Sequence, residues 1–96
     1  MSKKGYWMAM VDVTDPENYP KYIAANKAAF DKYGAKFLTR GGQSSCPEGP
    51  SGNRHVIVEF ESYEIALACF HSPEYQAALK FRRAYSTSHF AIVEGV

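Results

Sequence analysis

Hydrophobic positions along this chain repeat with two different periods, and the period changes where Gly, Pro and Ser cluster. Stretches of strand-forming residues predict four β-strands, at residues 5–13, 35–40, 54–61 and 88–95. Apolar side chains at helical spacing predict one helix after the first strand and two more after the third. The run GGQSSCPEGPSGN, residues 41–53, predicts a long turn between the second and third strands.

The first helix has a clear end and an ambiguous beginning. Its apolar positions continue to Tyr33, and Gly34 is typical of a helix C-cap. The segment Asp15–Pro16–Glu17 resembles a capped first turn. Pro20 lacks a backbone donor, however. We therefore expect either an irregular first turn or a helix that begins nearer Asn18.

The segment after the third strand predicts two helices with a break between them. Ser62 is a typical N-cap for the first of them, and Ser72 followed by Pro73 is typical of the start of the second. Within that second helix, Tyr75 and Arg82 share one face. Arg82 is expected to be exposed to solvent near the margin of the sheet.

The order of the elements, β-α-β-β-α-β, is that of the ferredoxin-like arrangement, in which helices cover one face of a four-stranded antiparallel sheet. The sequence thus predicts a single α+β domain over residues 1–96. In this topology the first and third strands are central. They are also the two most continuously apolar strands, which is consistent with that position.

Alternation along the strands separates two faces of the sheet. One set is apolar and is assigned to the face under the helices: Ala9, Val11, Val13, Phe37, Thr39, Val56, Val58 and Phe60. The opposite set mixes apolar and ionisable side chains: Tyr6, Met8, Met10, Leu38, Arg40, His55, Ile57, Glu59, His89, Ala91 and Val93. Apolar patches of this size usually mark an interface. The second face therefore predicts a homodimer that encloses a cavity between the two sheets.

Composition and charge exclude several classes of partner. The 96 residues are 46% hydrophobic and 22% charged, with a net charge of +1 and no long run of one sign, which argues against nucleic acid and anionic membranes as partners. No apolar run is long enough to span a bilayer. Two cysteines and three dispersed histidines predict neither a disulfide framework nor a metal site, and they favour a reducing, cytoplasmic compartment.

Four segments together resemble a known family. They are GYWMAMVDVTDPENY, FLTRGGQ, VIVEFESYEIAL and SPEYQAAL, and between them they extend over essentially the whole chain. The combination is similar to DUF1330, a domain of unknown function. The resemblance implies the dimeric α/β-barrel fold, which small cofactor-free monooxygenases and isomerases share. It implies no particular reaction, and a fold cannot supply one by analogy.

Arg40 and the glycines after it have two interpretations. Arg40 either pairs with a carboxylate such as Glu59 or Glu94 at a strand end, or holds the carboxylate or enolate of a ligand. In the second case Gly41 lets the backbone approach that ligand, and Tyr6 lies on the same predicted face. The candidate substrate-binding residues are thus Arg40, Tyr6 and Gly41.

The candidate acid–base groups lie on the same predicted face. Glu59 lies in the middle of a strand, so burial would require a partner or would raise the pKa of its carboxyl. His55 and His89 have the side chain that titrates nearest neutral pH, although a histidine in a strand is more often structural. His71 is expected at a helix end.

These residues support two functional hypotheses. One is a cofactor-free enzyme, of isomerase, lyase or oxygenase type, that acts on a small organic acid in a cavity between the sheet and the dimer partner. The alternative is a homodimer without catalysis, which either binds a small molecule or has a purely structural role. No cofactor is expected in either case.

Overall fold

The computed structural model describes residues 3–49 and 52–96, so Pro50 and Ser51 of the predicted turn lie outside the described residues. All seven predicted elements are present. In chain order they are β1 (Gly5–Val13), α1 (Pro20–Tyr33), β2 (Lys36–Arg40), β3 (Arg54–Phe60), α2 (Tyr63–His71), α3 (Pro73–Tyr85) and β4 (Ser86–Glu94). β4 begins two residues earlier than predicted, because it follows α3 without a loop.

The four strands form one antiparallel sheet in the order β2-β3-β1-β4. This order confirms the ferredoxin-like prediction and the central position of β1 and β3. The register aligns Ala9 with Val56 on one side and with Phe90 on the other, so one face of the sheet is apolar across three strands. The three helices pack on that face.

Side-chain caps define most of the helix ends. Ser62 Oγ accepts a hydrogen bond from the Ile65 backbone N–H, and Ser72 Oγ accepts one from that of Tyr75, which confirms both predicted N-caps. Gly34 has a φ of 68° and closes α1, as predicted.

The segment before α1 is an irregular turn, one of the two alternatives expected for this region. Asp15 stabilises the turn by accepting hydrogen bonds from the backbone and the side chain of Asn18. These bonds lower the pKa of the Asp15 carboxyl, the side-chain bond contributing most. The regular helix then begins at Pro20, where the missing backbone donor has no cost.

The core is built around Trp7, which is 2% exposed. Its indole N–H donates to the carbonyl of Ala66 at 2.9 Å, so its polar atom is satisfied. Five aromatic rings surround it, with centroids 4.8 to 6.1 Å away: Phe30, Phe60, Phe70, Tyr75 and Phe90. Aromatic packing thus provides much of the core of this small domain.

A β-bulge in β2 changes the predicted faces of two residues. Phe37 lies opposite Val58, but Thr39 lies opposite Ile57 and Arg40 opposite Val56, because Leu38 is an extra residue in the ladder. Simple alternation assigned Thr39 to the helix face and Arg40 to the open face. Both assignments were wrong, since the extra residue shifts the alternation by one position.

The remaining members of the open face are as predicted. The register brings Met10 between His55 and His89, Met8 between Ile57 and Ala91, and Tyr6 between Glu59 and Val93. Large apolar side chains are exposed on this face: Met8 (45%), Met10 (40%), Leu38 (47%) and Val93 (38%). Within the described ranges, no helix is long and apolar enough to cross a membrane.

Candidate functional site

A partly enclosed cavity lies between the helix face of the sheet and α1 and α3. It leaves about 30 Å³ in which the centre of a water molecule can move, so it admits a ligand of a few heavy atoms. Aromatic and aliphatic side chains from both layers form most of its wall. The polar residues in the wall are Tyr19, Tyr22, Asn26, Arg40, Arg54 and Arg82.

Arg82 is the most deeply buried cation of the cavity wall. Its side chain comes from the last turn of α3 and the residue is only 7% exposed, which contradicts the expected solvent exposure. The guanidinium donates from Nη1 to Tyr75 Oη at 3.0 Å and stands 4.8 Å from the centroid of the Phe90 ring. Its Nε is buried and has no hydrogen-bond partner within the described residues. A buried cation of this kind normally has an anionic partner.

Arg54 and Arg40 enter the cavity from the neighbouring strands. The Arg54 guanidinium lies 5.6 Å from the centroid of the Tyr19 ring, and its Nε also lacks a partner among the described residues. Gly41, with a φ of 73°, makes room for this guanidinium, since a Cβ there would collide with Arg54 Nη1. The Arg40 guanidinium stacks 4.1 Å from the Phe37 ring centroid. Gly41 thus lies against Arg54, and its role in ligand binding stays a prediction.

Two hydrogen-bonded tyrosine hydroxyls lie near Arg82, and one of the two residues, Tyr22, lines the cavity. Tyr75 Oη lies 2.7 Å from Tyr22 Oη, and Tyr75 is fully buried. Burial raises the pKa of Tyr75 well above its ordinary value, so this hydroxyl keeps its proton. Burial likewise raises the pKa of Tyr19. Tyr75 and Tyr19 are therefore neutral hydrogen-bonding groups near the guanidinium groups.

The described cavity wall contains no carboxylate and no histidine. The ion pairs found among residues 3–49 and 52–96 are all made by lysines, namely Lys4 with Glu61, Lys27 with Asp31 and Lys32 with Glu74. Three guanidinium groups thus line one small aromatic space with no internal counter-ion in the described wall. Such a wall can bind an anion, but its side chains supply no conventional general base.

The predicted acid–base residues lie on the other face of the sheet. Tyr6 Oη donates to Glu59 Oε2 at 2.9 Å, and this bond is the largest cause of the raised pKa of Tyr6. His55 is four residues along the strand from Glu59, about 13 Å away. The sheet itself therefore lies between Glu59 and the cavity arginines.

His55 and His89 flank Met10 without meeting each other. His55 Nε2 is 3.9 Å from Cys46 Sγ in the long turn. His55 and Arg40 border one shallow depression of about 530 Å³ at the end of β2, and His89 borders another of about 620 Å³. No three His, Cys, Asp or Glu side chains in the described part of the chain are grouped as a metal site would require.

Sequence reasoning missed most of the polar cavity wall, although signals for it were present. Arg54 precedes Val56 by two positions, so alternation alone assigns it to the helix face. Arg82 follows the buried Tyr75 by seven positions, or two helical turns. Asn26 lies within the apolar repeat of α1 and is 4% exposed. In each case a polar residue at a core position was the available signal.

The comparison with family models decides the family. The model described as "Domain of unknown function (DUF1330)" matches residues 4–96. The chain belongs to the DUF1330 family. A search of curated proteins finds no match.

Solved structures similar to this DUF1330 domain share its fold at low sequence identity. A protein of unknown function from Rhodopseudomonas palustris is 19% identical, with a TM-score of 0.78 over 100% of this chain and 85% of that one. SnoaB, a cofactor-independent oxygenase from Streptomyces nogalater, is 14% identical, with a TM-score of 0.66 over 96% and 92% of the two chains. A dimeric protein of unknown function from Bacteroides fragilis with a ferredoxin-like fold is 16% identical, with a TM-score of 0.57 over 95% of each chain. These similarities confirm the fold and leave the activity open.

Proposed function

We propose that this protein binds a small organic acid, as its anion, in the cavity between the sheet and the helices. The observation that carries the proposal is Arg82, a guanidinium that is 7% exposed, has a buried Nε without a partner in the described residues, and faces no carboxylate in the described wall. An unpaired buried cation is costly for stability. A ligand anion would offset that cost, and the aromatic wall suits its organic part.

The second candidate is a cofactor-free enzyme in the same cavity. An oxygenase without a cofactor needs a substrate that is itself electron-rich, and guanidinium and hydroxyl donors stabilise such a substrate as its enolate. The fold shared with SnoaB is compatible with this function but is an analogy only. Glu59 lies across the sheet from the cavity arginines, so the substrate would have to ionise without it. Binding is therefore the better-supported candidate.

The homodimer is part of the proposal. Methionine and aliphatic side chains are exposed across the open face of the sheet, and a second copy that packs its own open face there would bury them. The Bacteroides fragilis protein of similar fold is dimeric. The two depressions beside His55 and His89 would then lie between the protomers. A content of only two cysteines suits the proposed cytoplasmic location.

The test is calorimetric titration of the protein with sodium formate and with sodium acetate, with sodium chloride at equal ionic strength as the reference. Binding of at least one carboxylate is expected. Arg82→Gln should weaken it roughly ten- to a hundredfold, because hydrogen bonds to charged groups contribute about 1.5–3 kcal/mol. Arg83→Gln is the matched control, since Arg83 is the exposed neighbour on the same helix. Equal affinities of the two variants would overturn the proposal, as would the absence of carboxylate binding to the wild type.

A further inference from the structure

Three buried side chains form a chain of hydrogen bonds from α3 to α1. Arg82 Nη1 donates to Tyr75 Oη at 3.0 Å, and Tyr75 Oη lies 2.7 Å from Tyr22 Oη. The first bond has only one possible direction, since a guanidinium has donors and no acceptor. The second bond, taken alone, can run either way.

The burial of Tyr75 determines the direction of the second bond. Tyr75 is 0% exposed, so its hydroxyl proton needs an acceptor inside the protein. Within the described residues, Tyr22 Oη is the acceptor at hydrogen-bond distance. If Tyr22 donated instead, Tyr75 would accept twice and its own proton would be buried without a partner. Tyr75 therefore donates to Tyr22, and the proton of Tyr22 remains available.

Tyr22 lines the cavity, so its remaining proton has the ligand as its natural acceptor. We infer that Arg82, Tyr75 and Tyr22 form a polarised relay whose last member, Tyr22, donates a hydrogen bond to a ligand oxyanion. This inference rests on the proposed function and goes further. It makes Tyr22 a ligand-binding residue, makes Tyr75 a positioning residue, and restricts the ligand to a small oxyanion, either a carboxylate or an enolate.

The relay has a consequence for the acidity of the ligand. Hydrogen bonds in a chain strengthen one another, and the guanidinium at the start of this chain polarises both hydroxyl groups toward the cavity. Arg54 and Arg82 both line this cavity, and each has a buried Nε without a partner among the described residues. The wall thus favours the ionised form of an acid over its neutral form. The described wall has no carboxylate or histidine, so the proton that the ligand loses goes to solvent.

Two probes distinguish an enolate ligand from a carboxylate ligand. Acetylacetone is a small acid whose enolate absorbs at longer wavelength than the neutral enol, so its ionisation can be followed by ultraviolet spectroscopy across pH. Acetate, followed by calorimetry, reports carboxylate binding. The wild type is expected to lower the apparent pKa of acetylacetone by about one to two units, the equivalent of charged hydrogen bonds.

Tyr75→Phe is the decisive variant because it breaks the relay and retains the hydroxyl of Tyr22 and the charge of Arg82. It should raise the apparent pKa of bound acetylacetone by about one unit, or weaken acetate binding about tenfold. Tyr22→Phe should do the same, and it provides a second variant if Tyr75→Phe does not fold. Tyr85→Phe, on the same helix but absent from the cavity wall, should change neither quantity.

The outcomes separate the relay from the site. If the wild type binds neither probe, the proposed function fails and the relay fails with it. If the wild type binds a probe and both variants match Tyr85→Phe, the relay is wrong and the anion site stands. If acetate alone responds, with a tenfold loss in Tyr75→Phe, the relay is supported and the oxyanion is a carboxylate. If the ultraviolet absorption band of the acetylacetone enolate is weaker in both Tyr75→Phe and Tyr22→Phe than in the wild type, the relay is supported for enolates.

Discussion

At the scale of single residues, the proposed function rests mainly on Arg82. Its position two turns after Tyr75 brings it to the buried face of α3. Its contacts there are a tyrosine hydroxyl and the face of Phe90, neither of which neutralises its charge. A buried charge without a counter-ion lowers the stability of a folded protein. We therefore expect function and stability to oppose each other at this position.

Replacing Arg82 by Met tests that opposition. Arg82→Met removes the charge, retains much of the side-chain volume, and leaves the Tyr22–Tyr75 hydrogen bond intact. The free energy of unfolding in urea should stay within about 0.5 kcal/mol of the wild type or rise by about 1 kcal/mol, while carboxylate binding is lost. A loss of more than about 2 kcal/mol without ligand would show that the cation has a structural role.

At the scale of elements, the junction between α2 and α3 positions the relay. Ser72 Oγ donates to the carbonyl of Cys69 at 2.6 Å, near the end of α2, and accepts from the backbone N–H of Tyr75 in the first turn of α3. Ser72 is buried, so water cannot replace these bonds in the folded state. The neighbouring Cys69 is also buried, and its own burial raises the pKa of its thiol to about 12. The cap thus fixes where the helix that bears Tyr75 and Arg82 begins.

Ser72→Ala should reduce stability and leave the architecture unchanged. Loss of an N-cap costs about 0.5–2 kcal/mol, and the buried site favours the upper part of this range. Urea unfolding followed by circular dichroism measures the change. Ser44→Ala, in the exposed turn, is the control and should stay within about 0.5 kcal/mol of the wild type. Equal effects of the two substitutions would contradict the role of the cap.

At the scale of the whole molecule, the two faces of the sheet have different surroundings. The helix face encloses the cavity that is proposed to bind an anion, and the open face exposes methionine and aliphatic side chains in the pattern of an interface. On the open face, the Tyr6 hydroxyl donates a hydrogen bond to the Glu59 carboxylate. This pairing suits a structural role for them at the proposed dimer contact.

Met8→Glu tests the dimer. Met8 lies in β1, one of the two central strands, and is 45% exposed on the open face, so a carboxylate there should prevent the close packing of two sheets. Sedimentation equilibrium at micromolar concentration should find a dimer for the wild type and a monomer with unchanged helix content for the variant. Ala28→Glu, on the exposed surface of α1, should remain dimeric. A monomeric wild type would contradict the proposed interface.

Local and periodic features were predictable from the sequence alone. Alternation in β1 and β3, helical spacing in α1 and α3, and the caps at Gly34, Ser62 and Ser72 follow from interactions between near neighbours in the chain. They were enough to determine the order of elements, the central strands and most of the open face. These features depend on the covalent neighbourhood, which the sequence states directly.

Only the tertiary structure decided where the candidate site lies. The bulge at Leu38 depends on how β2 pairs with β3, and it moves Arg40 to the helix face. The burial of Arg82 depends on what α3 packs against, and its lack of a carboxylate partner depends on residues distant in the chain. The register of a pairing and the surroundings of a charge are properties of contacts between distant segments, which alternation along one strand does not contain.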